Sequence, residues 1–319
     1  MSGLASPAQI AGFVVALRAK GETSDEVRGL VEAMLANAVK VSVSGTTLDI
    51  VGTGGDASQS VNVSTMSSIV CAAAGAKVVK HGNRAATSKC GSADVLEHLG
   101  VRIDLSPEMV AAVFDEVGIT FCFAPTFHSS MKNAAPARKD LGIPTVFNIL
   151  GPLANPGRPH AQLIGCADTR LAPVMAQVLA DFGVHAFVVR GDDGLDEVTT
   201  TTRTRIWDVR NSQIVESEID AADFGFARVS VEDLRGGDAA YNADIVRRLF
   251  NNEQSATITP IRDAVIMNSA LALVAHESAL GRPSTIHEGL TKAINRAQDA
   301  ISDGSAGRTL EQWIVASNR

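Results

Sequence analysis

Residues Leu48 to Ala74 read LDIVGTGGDASQSVNVSTMSSIVCAAA. A short apolar run, Leu48 to Val51, ends in glycines, and Val63 to Ala74 resumes as an apolar helix, so the stretch is strand, loop and helix. The alternation continues downstream. Ala76 to Val79 reads as a strand, Ser92 to Leu99 as a helix, Ser106 to Val117 as a Ser-Pro-capped helix, and Phe121 to Phe123 as a strand. Leu163 to Cys166, Leu171 to Phe182 and Ala186 to Val189 repeat strand, helix, strand. Such βα units predict an α/β fold with a mostly parallel central sheet flanked by helices. Arg205 to Val215 reads as a hairpin turning at Arg210-Asn211, and two or three helices are expected from Gly237 to the C-terminus.

Upstream the period changes. Ser6 as N-cap with Pro7 behind it starts a helix that Gly21 stops. Thr23 and Glu26 make a capping box for a second helix, whose Val27, Leu30, Val31, Met34 and Leu35 form one apolar stripe.

Composition restricts the functions open to this fold. The chain has 319 residues, 45% hydrophobic and 20% charged, enough to bury a substantial core. A net charge of -7 argues against nucleic acid as a partner, because displacing phosphate counterions needs excess cations. Cys71, Cys90, Cys122 and Cys166 are widely spaced, which suggests neither a zinc site nor a disulfide framework and favours a reducing cytosol. Ile10 to Leu17 lacks a basic leader, and no window approaches the roughly 20 apolar residues of a membrane span. The expectation is a cytoplasmic protein with no membrane partner.

The chemistry starts at GTGGD, Gly52 to Asp56. Glycines directly after a strand let backbone amides approach a diphosphate, and the next helix start adds donors. Asn62, Ser64 and Thr65 lie at that helix start, where helix capping competes with phosphate or ribose binding. After the second strand comes KHGNR, Lys80 to Arg84, with Thr87, Ser88, Lys89 and Ser92 beyond it. Lys80, Arg84 and Lys89 supply cations for a second anion-binding loop facing the first. Lys89 beside Cys90 is expected to favour its thiolate. Asp192, Asp193, Asp196 and Glu197 form an acidic loop after the strand Ala186 to Val189; magnesium needs only one or two carboxylates plus substrate oxygens.

Taken in order, DIVGTGGD, NVST, KHGNR, SKCGSADVLE, FAPTFHSSMK, APARKDLG, FNILGPLANP and DGLDEVT resemble the motifs of the anthranilate phosphoribosyltransferases across nearly the whole chain. The resemblance implies a small helical N-terminal domain, residues 1–45 joined by helices from about 127–147, and a larger α/β domain over 46–319. It implies transfer of phosphoribose from phosphoribosyl pyrophosphate to anthranilate with release of pyrophosphate, in a cytoplasmic homodimer using magnesium (Mg2+). Carried over by position, phosphoribosyl pyrophosphate falls to Gly52, Gly55, Asp56, Ser60, Asn62, Val63, Ser64 and Thr65. The same substrate takes Lys80, His81, Gly82, Asn83, Arg84, Ala85, Ala86, Thr87, Ser88 and Ser92. Anthranilate falls to Gly52, Asn83 and Arg138, with His81 and His128 lining the approach. Magnesium falls to Ser64, Asp196 and Glu197.

No acid/base residue is assigned, because the aromatic amine is already neutral. Cys90 and Thr87 stand where the family usually has serine, Phe127 where it has the first of two histidines, and Ala57 where it has glycine; no expected charged contact is lost. The resemblance also implies that the chain starts short of a first helix that helps form the dimer. A pyrimidine nucleoside phosphorylase would carry a KHSTGG-type loop in place of KHGNR. A non-catalytic, nucleic-acid-binding homologue of this fold would be basic.

Overall fold

The computed structural model describes residues 3–85 and 88–319. Helix α1 (Pro7–Lys20) begins where the Ser6 hydroxyl accepts from the Gln9 amide and ends at Gly21, whose φ of 88° an L side chain would resist. Helix α2 (Ser24–Ala36) carries the Thr23–Glu26 capping box and buries Val27, Val31 and Met34. Then follow β1 (Thr47–Gly52), α3 (Val63–Ala73), β2 (Lys77–Gly82), α4 (Ser92–Leu99), α5 (Pro107–Val117) and β3 (Ile119–Phe123). Short helices α6 (Ala124–Phe127), α7 (Ala135–Leu141) and α8 (Phe147–Leu153) lead to β4 (Ala161–Gly165), α9 (Ala172–Asp181) and β5 (His185–Gly191).

The expected hairpin is β6 (Arg203–Asp208) with β7 (Val215–Asp220), its turn occupying 209–214 and its second strand running beyond Val215. Arg210 spends that turn chelating the Asp208 carboxylate. Four helices rather than two or three close the chain: α10 (Ala239–Phe250), α11 (Ile258–Ala279), α12 (Ile286–Ser302) and α13 (Ser305–Ser317). The expected absence of a long apolar window also fails at α11, which has the length and composition to cross a membrane. Yet 78% of its 18-residue apolar window is buried inside the fold. It is a helix apolar all round because protein surrounds it.

The sheet has seven strands in the order β3-β2-β1-β4-β5-β6-β7. The first five are parallel, and the hairpin adds two antiparallel strands at one edge. Successive residues serve opposite faces, as a period of two requires. Leu163, Phe187, Val189 and Ile206 enter the core under α3 to α5 and α10 to α13, while Ile164, Ala186, Val188 and Trp207 enter a second core with α1, α2, α8 and α9. The two N-terminal helices therefore pack on one face of the sheet together with the helices near residue 150.

Strands β1 and β2 are in register at Thr47↔Lys77 and Leu48↔Val78. Beyond that pair side chains join them. Lys80 Nζ donates to Ile50 O at 2.6 Å, the His81 amide donates to Asp49 Oδ1 at 3.2 Å, and Asn155 Nδ2 donates to Val79 O at 2.7 Å. Buried backbone groups must be paired, and here three are paired by side chains.

Candidate active site

The C-terminal ends of parallel strands are where α/β folds bind ligands. At the end of β1, the Gly54 amide donates to Asp196 Oδ2 at 2.7 Å. A Cβ on Gly52 would collide with that oxygen, and one on Gly165 would overlap the Asp196 backbone. Both glycines make room for Asp196 to reach the GTGGD loop. Asp56 is its neighbour, and burial followed by the Asp56 charge raises the Asp196 carboxyl well above the usual range. Glu197 is raised as well, first by burial and then by Asp196, while Lys80 and the Ser64 amide oppose the rise.

Lys80 is 1% exposed. Besides Ile50 O, its ammonium reaches Ser64 Oγ at 3.3 Å. Burial depresses its pKa, and Asp49 and Glu197 act against that. Asp49 is fully buried, and burial lifts its carboxyl to about 6 despite Lys80 and the amide of Asn155. One internal cation thus faces carboxylates on either side and also reaches Ser64.

Asn62 stands at the start of α3 without capping it. Its amide donates to Cys90 O at 3.1 Å, and its Oδ1 accepts from Asn242 Nδ2 at 2.8 Å. Asn242 Oδ1 in turn accepts from the Gly237 amide, and Gly236 donates to Gln59 O. Ser60 bridges to Arg235. Residues 235–242 therefore brace the 59–62 segment, a role the sequence reading missed although Gly236-Gly237-Asp238 has the form of a close approach followed by a helix cap.

The KHGNR loop is built differently from expectation in one respect. Arg84 is exposed but paired with Asp94 and Glu97, so its charge is already compensated. Asp94 also accepts from the amides of Ala85 and Gly91, folding the loop over the start of α4. The Asn83 carbonyl accepts from Ser92 Oγ at 3.3 Å, and a Cβ on Gly82 would strike that hydroxyl. Val63 is buried in the core under α3; Gly55 and Ser88 are exposed. Ala86 and Thr87 lie outside the described residues. Cys90 corrects the thiolate expectation, because it is 6% exposed and burial pushes its thiol up to about 11.

A separate wall is organised by α8. Because a carbonyl only accepts, His81 donates from Nδ1 to Gly151 O at 3.0 Å and His128 from Nε2 to Ala154 O at 2.8 Å. Their rings meet edge on, 5.1 Å between centroids. The remaining nitrogens, His81 Nε2 and His128 Nδ1, are buried without hydrogen-bond partners among the described residues, as is the Thr65 hydroxyl. Burial, then the facing His128, depress His81 to about 3, so it is neutral; burial lowers His128 too. Arg138 on α7 lays its guanidinium 5.7 Å over the Phe147 ring and has no carboxylate partner among the described residues. Phe147 links it to α8, and no hydrogen bond or ion pair joins it to Gly52 or Asn83 among the described residues.

No group of three or more His, Cys, Asp or Glu able to cage a metal occurs among the described residues. The donor set nevertheless suits magnesium. Asp196, Glu197 and Ser64 Oγ are hard oxygen ligands, crowded carboxylates favour a cation, and magnesium keeps water and substrate oxygens in its remaining positions.

Residues 44–307 match the profile of a glycosyl transferase family, a/b domain, and residues 1–38 match the helical bundle domain of the same family. A curated relative from a Nocardioides species, an anthranilate phosphoribosyltransferase, is 54% identical over 319 residues, covering 100% of this chain and 92% of its own. The structure of the anthranilate phosphoribosyltransferase from Thermus thermophilus superposes with a TM-score of 0.90 at 37% identity, over 100% of this chain and 92% of that one. The Saccharomyces cerevisiae enzyme in complex with PRPP and Mg gives 0.87 at 30% identity, over 98% of this chain and 85% of that one. Fold and site define a glycosyl transferase with a helical bundle domain and an α/β domain. The chain belongs to the anthranilate phosphoribosyltransferase family.

Proposed function

We propose that the chain transfers the phosphoribosyl group of phosphoribosyl pyrophosphate to the amino group of anthranilate, giving N-(5-phosphoribosyl)anthranilate and pyrophosphate in tryptophan biosynthesis. The observation that carries this reading is the Asp196 carboxylate held 2.7 Å from the Gly54 amide, beside Glu197 and Ser64. That arrangement brings the GTGGD loop and magnesium-type oxygen ligands to one place.

The amine nitrogen bonds to the anomeric carbon as the bond to the pyrophosphate oxygen breaks, and the nitrogen then releases a proton. Negative charge grows on the leaving group, so positioning and electrostatic stabilisation dominate. Gly52, Gly55, Asp56, Ser60, Asn62, Val63, Ser64, Thr65, His81 to Ser88 and Ser92 hold the pyrophosphate and ribose, with Lys80 behind them. Ser64, Asp196 and Glu197 would hold magnesium, which would supply charge neutralisation on the pyrophosphate. Lys80 keeps Ser64 in place from beneath rather than gripping substrate from solvent. Arg138 pairs its planar guanidinium with the anthranilate carboxylate, and His81 and His128 offer lone pairs to the amine N–H groups. We assign residues 1–45, with the helices from about 127–147, to a helical domain, and the rest to the α/β domain. The enzyme works as a cytoplasmic homodimer.

The test is loss of anthranilate fluorescence when purified protein meets anthranilate, phosphoribosyl pyrophosphate and magnesium. No loss at any magnesium concentration rejects the reading.

A further inference from the structure

A cavity of about 450 Å³ opens at the other end of the sheet, where β4 and β5 begin, between α2, α9 and the segment leading into β4. Gly52 and Gly82 end their strands at the opposite edge, so substrates bound there do not reach it. The volume falls in the range of small-molecule sites. Its walls are apolar, with Leu35, Leu153, Leu179 and Phe182 among them. Gln162 lines it from inside the fold, 3% exposed, its amide donating to Pro152 O.

Two donors stand at its rim. Arg158 is exposed and has no carboxylate partner among the described residues. It is held in the left-handed region, φ 45°, which a residue other than glycine occupies only when its surroundings impose it. The imposition comes from Asn155, whose Oδ1 accepts from the Gly157 amide and whose carbonyl accepts from the Arg158 amide. His160 is fixed in one tautomer, since its Nδ1 accepts from the Thr47 amide at 3.3 Å and the ring proton is left on Nε2. Across the opening Glu32 supplies the one carboxylate.

We propose that this cavity is a second ligand site, for a small amphipathic carboxylate with an aromatic or branched aliphatic body, and that its occupancy is felt by the KHGNR loop. A planar carboxylate suits the unpaired Arg158 guanidinium, and the apolar walls take the body. The coupling runs through two hydrogen bonds. Asn155, which shapes the Arg158 turn, also donates to Asp49 Oδ2 at 2.9 Å, and Asp49 Oδ1 accepts from the His81 amide. Movement of the turn reaches the substrate loop without crossing solvent.

The experiment titrates the full-length protein with 3-phenylpropionate and with its uncharged amide, followed by saturation-transfer NMR and calorimetry. The acid binds and the amide binds about tenfold more weakly, the difference expected of a charge-assisted pair. Arg158→Gln weakens the acid about tenfold, and Leu179→Trp, which fills the cavity, abolishes binding. Arg138→Gln has no effect, because the acid is not in the first site. Saturating acid changes the Kd of phosphoribosyl pyrophosphate about fivefold, and the reverse change is equal by linkage. Absence of binding, equal affinity for the amide, or sensitivity to Arg138→Gln in place of Arg158→Gln overturns the site. Binding that leaves the Kd of phosphoribosyl pyrophosphate unchanged overturns the coupling.

Discussion

Asn155 Nδ2 lies 2.9 Å from Asp49 Oδ2 and 2.7 Å from Val79 O, so a single amide fastens β1 to β2 from a residue in neither strand. Removing it strands a buried carboxylate oxygen and a buried carbonyl. Asn155→Ala should lower unfolding free energy by about 3 kcal/mol, read from urea midpoints. A loss within about 0.5 kcal/mol would mean that water replaces the amide and the bridge is dispensable.

Arg138 has no acidic partner among the described residues and lays its guanidinium over Phe147. If it holds the substrate carboxylate in ground and transition states alike, Arg138→Ala raises the anthranilate KM at least about tenfold and barely moves that for phosphoribosyl pyrophosphate. Equal effects on both substrates count against the assignment.

Asp196 and Glu197 converge on the GTGGD loop and Ser64. Changing both to alanine should depress kcat on the order of a hundredfold and move the magnesium optimum upward. An unaltered magnesium response would leave the pair without a role in metal binding.

The histidines give a prediction with a sign. Burial holds His81 near 3, far below its ordinary value, and lowers His128 as well. Between about pH 6.5 and 3 the unfolded chain binds a proton that folded His81 refuses, so its contribution to stability is complete above 6.5 and declines as pH falls, by about 1.4 kcal/mol per unit. His81→Asn should therefore flatten the loss of stability between pH 7 and 5. His81 does not titrate in the native enzyme over about pH 5 to 9, so the variant's kcat profile keeps the wild-type shape there. A bell-shaped wild-type profile that collapses in His81→Asn would instead make it a proton carrier.

Cys90 should resist alkylation. With its thiol near 11 it carries on the order of a hundredfold less thiolate than an ordinary cysteine at pH 8, and iodoacetamide labelling followed by mass spectrometry should be slower in proportion. Phosphoribosyl pyrophosphate should slow it further, since Cys90 O and Sγ touch Asn62. Rapid labelling that ignores substrate would separate Cys90 from the site.

The strand, loop and helix units were legible because period and glycine placement are local signals; β1, α3 and β2 fall where the sequence puts them within a few residues. Local rules also singled out Gly52, Asn62, Ser64, Lys80 and the acidic loop, among which the structure sets Lys80 against Ser64 and Asp196 against the GTGGD loop. They failed where a residue's task depends on a distant partner. Asn242 reaches Asn62 across 180 positions and Asn155 reaches Asp49 across 106, and nothing in either segment announces the pairing. Arg84 looked available to an anion because Asp94 and Glu97 lie on the next helix, beyond the loop in which its charge was counted. Apolar α11 was overlooked for the opposite reason: scattered polar residues such as Asn268 and Ser269 interrupt its run, and both are buried and hydrogen-bonded within the fold.

Where side chains rather than backbones fasten β1 to β2, ordinary strand pairing no longer tolerates exchange of residues. Backbone ladders accept almost any sequence, whereas this seam accepts Asp49, Lys80 and Asn155 as a set. Grafting GTGGD or KHGNR alone onto another parallel sheet would close the seam and withdraw the lysine from beneath Ser64. An engineered scaffold for such a loop has to import its mortar along with its bricks.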